Sequence, residues 1–449
     1  MKPKRPENEL SQYQLWRTKL ETFLNPGHPL MQLSKRMDWE SFEKEFSDHF
    51  GERGPKALSV RLVVGLMYLK HAENLSDEAL IERWVENGYW QYFCGFEYFQ
   101  HKPPCDPTSL VKWRNRIGDE GMKKMLQETL RIALKEEALK PEHVLTVIVD
   151  TTVQEKNITF PTDAKLLDRS RRKLVKQADR DGIVLRQSYV RVGKRLLHKH
   201  ARYRHAKQYN RARKPLKSLR TILGRVLRDI QRKVEIAQTS MSEKMTSLWA
   251  LASKVHAQVA DKKTPNKIYS LHEPHVACIA KGKSHKPYEF GSKVSIVTSA
   301  HVPWVLGVQN FGGNPYDGST LKQAITDVES NTSQSVKSVF VDKGYRGTVH
   351  WPEHVSVFVS GRKNLSKKNH RLLKRRQAIE PVIGHLKFEH RLGRNFLSGI
   401  AGDIHNALLA GIAFNFRKLV RWFRSLFVFY CLVLFRPRPM TKAHLETCR

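Results

Sequence analysis

The chain has 449 residues, and its 79 Lys and Arg against 43 Asp and Glu give a formal net charge of +36, which points to a polyanionic partner, nucleic acid first. Hydrophobic residues at 40% allow two or three domains with buried cores, while five cysteines without a C-x-x-C pair exclude a disulfide scaffold and read as reduced thiols of a cytoplasmic protein. The N-terminus has no apolar stretch of the secretory kind, and the most apolar run, 426–435, is too short to span a bilayer, so neither export nor a membrane partner is expected.

Residues 8 to 140 read as helical. Ser76 before Asp77 and Glu78 is a helix cap, and Leu80, Trp84 and Val85 continue that helix to a stop at Asn87-Gly88. Asp106-Pro107 opens another helix with Leu110, Trp113 and Ile117 on one face and Lys112, Arg114 and Arg116 around the rest. Its outline suits a helix-turn-helix reading DNA and equally a small bundle with a solvated basic face.

Near Pro141 the pattern turns to strands, Val144–Val149 and then 157–160. From Asp163 to about 265 it returns to helix as a basic insertion. Residues 163–240 hold 24 Lys and Arg against 6 Asp and Glu, half of the whole net charge. Arg202, Arg204, Arg211 and Arg213 there, interleaved with Tyr203 and Tyr209, suggest a phosphate-contacting arm, and the stripe Leu216, Leu219, Leu223, Val226 and Ile230 a packing face. Strands are expected again at 276–280, 292–298, 303–308, 336–341 and 355–359, with a helix at 321–329 and helix from 368 to about 424. The fold class is therefore α+β: a helical domain over 1–140, a mixed-sheet catalytic core over 141–425 interrupted by the insertion, and a tail from 426 to 449.

Two apolar strands end in carboxylates, Asp150 before Thr-Thr and Asp342 before Lys-Gly-Tyr, and Glu380 lies on a helical stretch with Arg376 four residues before and Lys387 seven after. Mg²⁺ needs few protein carboxylates, and two ions about 3.5 to 4 Å apart serve phosphodiester chemistry. His272-Glu-Pro-His275 is a weaker candidate because Pro274 breaks the helix that would align its histidines, and Glu289 and Asp317 read as turn or salt-bridge acids. Gly282, Gly291, Gly312 and Gly313 form no phosphate-cradling loop.

These residues, with Phe160-Pro-Thr-Asp163, Ala280-Lys-Gly-Lys283, Tyr288 to Lys293, Asn314-Pro-Tyr-Asp317-Gly and Asp342-Lys-Gly-Tyr345-Arg346-Gly, resemble segments of bacterial insertion-sequence transposases of the DDE type. The resemblance is to the Insertion Sequence five group, within the larger family carrying a Tyr, Arg, Glu, Lys signature. Arg376, Glu380 and Lys387 match that signature, while Leu373 stands where its Tyr is expected. The resemblance implies an RNase H-like core, and Asp150, Asp342 and Glu380 as the metal-binding catalytic triad for Mg²⁺, with Mn²⁺ substituting. It implies Arg376, Lys387 and Arg346 as DNA contacts, double-stranded DNA of the element ends and the target as partner, and a homodimer in the synaptic complex of a nucleoid-associated bacterial protein. A catalytically silent repressor and an RNase H-like nuclease without strand transfer are the alternatives.

Overall fold

The computed structural model describes residues 18–47, 57–238, 240–280, 286–362 and 365–434. The chain divides into two compact units: residues 1–154, 293–311 and 315–449 form the first, and 155–292 with 312–314 the second. The helical segment 1–140 is thus no unit by itself, because its apolar faces share one hydrophobic cluster with the strands and the C-terminal helix. Among the described residues no helix is long and apolar enough to cross a membrane.

In the first unit the helices are α1 (Leu20–Phe23), α2 (Pro29–Arg36), α3 (Trp39–Glu45), α4 (Val60–Ala72), α5 (Asp77–Glu86), α6 (Gly88–Phe93), α7 (Pro107–Lys135) and α8 (Pro141–Val144). Ser76 caps α5 by accepting from the Ala79 amide, and Asn87, which ends that helix, opens α6 by accepting from the Trp90 amide. Asp106 caps α7 and Pro107 fills its first position, as the sequence suggests. Leu110, Trp113 and Ile117 are buried, and Gly118, at φ +63°, breaks the run where another residue would be strained.

The sheet comprises β1 (Thr146–Glu155), β2 (Ala277–Ala280), β3 (Tyr288–Ser299), β4 (Val305–Phe311), β5 (Ser338–Val341) and β6 (Ser356–Val359). Its order is β2-β3-β1-β5-β6, with β4 on β3; β1, β5 and β6 run parallel and the hairpin of β3 and β4 antiparallel. Residues 141–144 are helix rather than the start of a strand, since Pro141 suits a first helical turn. Residues 157–160 are irregular, not a strand.

The remaining helices of this unit are α13 (Asp317–Thr332), α14 (Lys367–Arg375), α15 (Ile379–Glu389) and α16 (Gly399–Leu434). The stretch expected as tail from 426 thus begins as the end of α16; residues 435–449 lie outside the described ones, as do 281–283 of the segment Ala280-Lys-Gly-Lys283. α16 packs on α7, α4, α2 and β4, close enough at Gly411 that a Cβ there would strike Val308 at 2.6 Å.

The second unit is the basic insertion: α9 (Asp163–Arg180), α10 (Val190–His205), α11 (Tyr209–Ile236) and α12 (Glu243–Ala260) around their own core of Leu167, Leu174, Leu223, Ile230 and Val255. The predicted stripe on α11 does pack, with Leu219, Leu223, Val226 and Ile230 buried. Arg171, also buried, donates to Asp168 at 2.8 Å and to the Ser188 carbonyl at 2.8 Å, and Gly193 leaves that pair its space.

Candidate active site

Strands β1 and β5 deliver the first two acids. Their parallel register pairs Thr146 with Ser338, Val147 with Val339 and Ile148 with Phe340; carried two residues further it sets Asp150 level with Asp342, whose backbone stays extended at φ −80°, ψ −176°. Adjacent strands lie about 4.8 Å apart, so the two carboxylates come from neighbouring points on the sheet. Asp150 is not at the end of its strand, as the sequence suggested, but in the middle of one that runs on to Glu155. Polar Thr151 and Thr152 read as a stop, yet their β-branched side chains favour the extended chain.

A third carboxylate joins them. Asp317, the first residue of α13, accepts from Thr151 Oγ1 at 2.8 Å and from the Lys293 ammonium at 2.8 Å through one oxygen, Oδ1. Lys293 also donates to the Pro315 carbonyl at 2.6 Å. The other oxygen, Oδ2, faces the turn after β5: a Cβ on Gly344 would lie 3.0 Å from it and 3.0 Å from Asp342 Oδ1. The Gly344 amide donates to that same Asp342 oxygen at 2.8 Å. Beneath this turn Tyr345 is fully buried, its hydroxyl beside Thr320 without a well-formed hydrogen bond. Burial first, then the charges of Asp150, Asp317 and Asp342, raise its pKa well above the ordinary phenol value and keep it protonated.

Arg376, Glu380 and Lys387 do not share one α-helix. Arg376 begins a 3-10 turn, 376–378, and α15 starts afresh at Ile379, with Pro381 in its first turn where the missing amide costs nothing. The Arg376 guanidinium nevertheless reaches 3.9 Å from Asp150 Oδ2. Glu380 is exposed in the first turn of α15, Lys387 is half-buried, and Leu373, in place of the signature tyrosine, packs partly against the core. Among the described residues no three Asp, Glu, His or Cys side chains converge into one ready-made metal cage. The donor chemistry still suits Mg²⁺, which takes one or two carboxylates and fills its octahedron with water and phosphate oxygens.

The basic candidates fall into two groups. Lys112, Arg116, Arg346, Arg202, Arg204, Arg211 and Arg213 are exposed. Arg114 is not: it is 3% exposed and grips both oxygens of Asp77 at 2.8 and 2.7 Å, so its expected place on a DNA-facing surface is corrected to the core. In the second unit Arg191, Lys194, Arg195, Lys199 and Arg202 of α10 line a groove of about 880 Å³. His272 to His275 lie in the loop before β2, where Glu273 pairs with Lys156 at 3.3 Å and His275 at 3.4 Å.

Sequence reasoning missed the part of Lys293, Gly344 and Tyr345 in this site and took Asp317 for a turn or salt-bridge acid, which its pairing with Lys293 matches. The available signal was a lysine in a strand otherwise rich in β-branched and small residues, where an ammonium needs a partner.

Residues 18–116 match the family model described as Transposase domain (DUF772). A protein of Rhizobium meliloti, described as uncharacterized protein ORF8 in nfe locus, is 43% identical over 209 residues, which are 46% of this chain and all of that protein. No solved structure matches.

Proposed function

The chain belongs to one family with the ORF8 protein and carries a transposase domain, and on that premise we propose that it is a DDE transposase of an insertion sequence, in the group suggested by its Arg376, Glu380, Lys387 spacing. The observation that carries the reading is the parallel register of β1 and β5, which, carried two residues past its last pair, brings Asp150 level with Asp342, with the Arg376 guanidinium 3.9 Å from Asp150. Asp150 and Asp342 would hold Mg²⁺, or Mn²⁺ in its place, with Glu380 at the start of α15 as a further ligand. The chemistry such ions would supply there is activation of the attacking oxygen and compensation of charge on the leaving one. Arg376 and Lys387 hold the scissile phosphate, and Arg346 the strand beside it. Water cleaves the phosphodiester at the element end to leave a 3′-OH, and that hydroxyl displaces a phosphodiester of target DNA in line. The substrate is double-stranded DNA; the exposed Arg and Lys of α10 and α11, with Lys112 and Arg116, contact its phosphates. Two copies of the chain pair two ends.

The test is Mg²⁺-dependent cleavage and joining of DNA bearing the element's terminal repeat, for the wild type beside Asp150→Asn and Glu380→Gln. Cutting and joining by the wild type, with both variants reduced to binding, supports the reading. Binding without cutting by all three in Mg²⁺ and in Mn²⁺ replaces it with the repressor; cutting without joining, with the nuclease.

A further inference from the structure

At Asp317 four parts of the first unit meet: Thr151 of β1, Lys293 of β3, the first turn of α13, and Gly344 of the turn after β5. We propose that Asp317 and Lys293 are a positioning pair that fixes the spacing of Asp150 and Asp342 and keeps Asp317 itself off the metal, an inference that rests on the proposed role of those two acids. Thr151 follows Asp150 directly, so its bond to Asp317 Oδ1 sets the rotation of the strand at the first acid. The turn after Asp342 closes against Oδ2, so the second acid is set from the same carboxylate.

Chemistry separates Asp317 from a ligand. Its Oδ1 already accepts two bonds, one of them from an ammonium that is only 10% exposed and anchored a second time on the Pro315 carbonyl. A cation taking that oxygen would have to displace Lys293 and leave the ammonium buried with its charge unpaired. Asp317 also begins α13, where the helix dipole favours a carboxylate that stays in place. Gly344 completes the device: any side chain there would press on Asp317 and Asp342 at 3.0 Å each and push them apart.

The test measures Mn²⁺ binding to the full-length protein by water-proton relaxation, thermal unfolding, and DNA binding without metal, for the wild type, Asp150→Asn, Asp317→Ala, Asp317→Asn, Lys293→Ala and Gly344→Ala. Binding that Asp150→Asn abolishes supports the reading of the acids. Given that, the proposal expects Asp317→Ala, Lys293→Ala and Gly344→Ala to weaken Mn²⁺ binding about 10- to 100-fold, the usual cost of losing a group that orients a ligand, with metal-free DNA binding unchanged. Asp317→Asn, which keeps an acceptor for Thr151, should lose less than Asp317→Ala, and it remains the decisive variant if the alanine protein unfolds. Wild-type affinity in both Asp317 variants overturns the proposal and leaves the reading standing. Complete loss of Mn²⁺ in a folded Asp317→Asn, equal to Asp150→Asn, overturns it by making Asp317 a ligand. Wild-type protein without Asp150-dependent Mn²⁺ binding overturns the reading and the positioning pair together.

Discussion

Two acids of the first unit show opposite treatments of charge. Asp77 lies between Lys70 at 2.8 Å and the forked guanidinium of Arg114, and every strong partner it can take is already in place. Burial alone would raise its pKa, but the Arg114 hydrogen bonds and the Lys70 charge overcome that and bring it down to about 2. Asp150 accepts from the Thr151 amide at 2.8 Å and has the Arg376 guanidinium at 3.9 Å, while the register of β1 and β5, carried past the end of β5, brings Asp342 level with it. A buried pair of this kind serves the fold, whereas two acids set side by side repel each other, and a cation bound between them relieves that repulsion.

Removing the paired strand acids should have the largest effect. Asp150→Asn or Asp342→Asn should lower cleavage on the order of 10³-fold or more, as loss of a group that stabilises developing charge does, while the melting temperature holds or rises. A melting temperature that falls with activity would place Asp150 with Asp77 as a structural acid. Asp77→Ala should do the reverse and destabilise by about 3–5 kcal/mol, because Lys70 and Arg114 are left buried without their partner. Chemical denaturation reads this directly; a loss below about 1 kcal/mol would show that the two cations find other partners.

This contrast also marks how far the sequence could be read. The caps at Ser76 and Asp106, the apolar face of α7 and the helical character of the basic insertion were legible because each rests on local spacing or on a single capping bond. Asp150 and Asp342 could be picked out by their apolar leads, but not their alignment, which depends on the pairing of strands 192 residues apart in register. Arg114 was misplaced for the same reason. Its neighbours on α7 make it a surface residue, and only the packing of α5 brings Asp77 to it. The Asp317 pairing joins β1, β3 and α13, and no spacing within one element encodes it.

Acid should act on the closed part of the molecule. The Nδ1 of His390 lies 3.0 Å from the His71 carbonyl, and burial brings its pKa down to about 4. Burial lowers His71 likewise, where its Nε2 meets Asn406 at 3.2 Å. Between about pH 6.5 and 4 the unfolded chain therefore holds protons that the folded chain refuses, so stability is full above that window and falls as pH falls through it. His390 alone accounts for about 3 kcal/mol over the window. Asp77 adds a second loss only below its unfolded value of 3.8, toward 2. Denaturation at pH 7, 5.5 and 4.5 checks the sign, and His390→Gln should flatten the first step.

The smallest effect belongs to the basic residues, and it sharpens the comparison from the side of the cations. Arg202 and Lys199 stand open on α10, whereas Arg114 is spent on Asp77. Each phosphate contact releases counterions and contributes about −0.9 to the slope of log affinity against log salt. Replacing Lys199 and Arg202 together by alanine should thus reduce the slope by about 2, with affinity falling evenly for every DNA sequence and stability nearly unchanged. Arg114→Met should leave the slope alone and lower stability instead, because the loss falls on Asp77 and not on DNA. Equal slopes for the wild type and the α10 variant would remove the groove from the DNA-binding surface and leave its charge as solvated helix face. A lower slope for Arg114→Met would mean that the Asp77 pair opens when DNA binds.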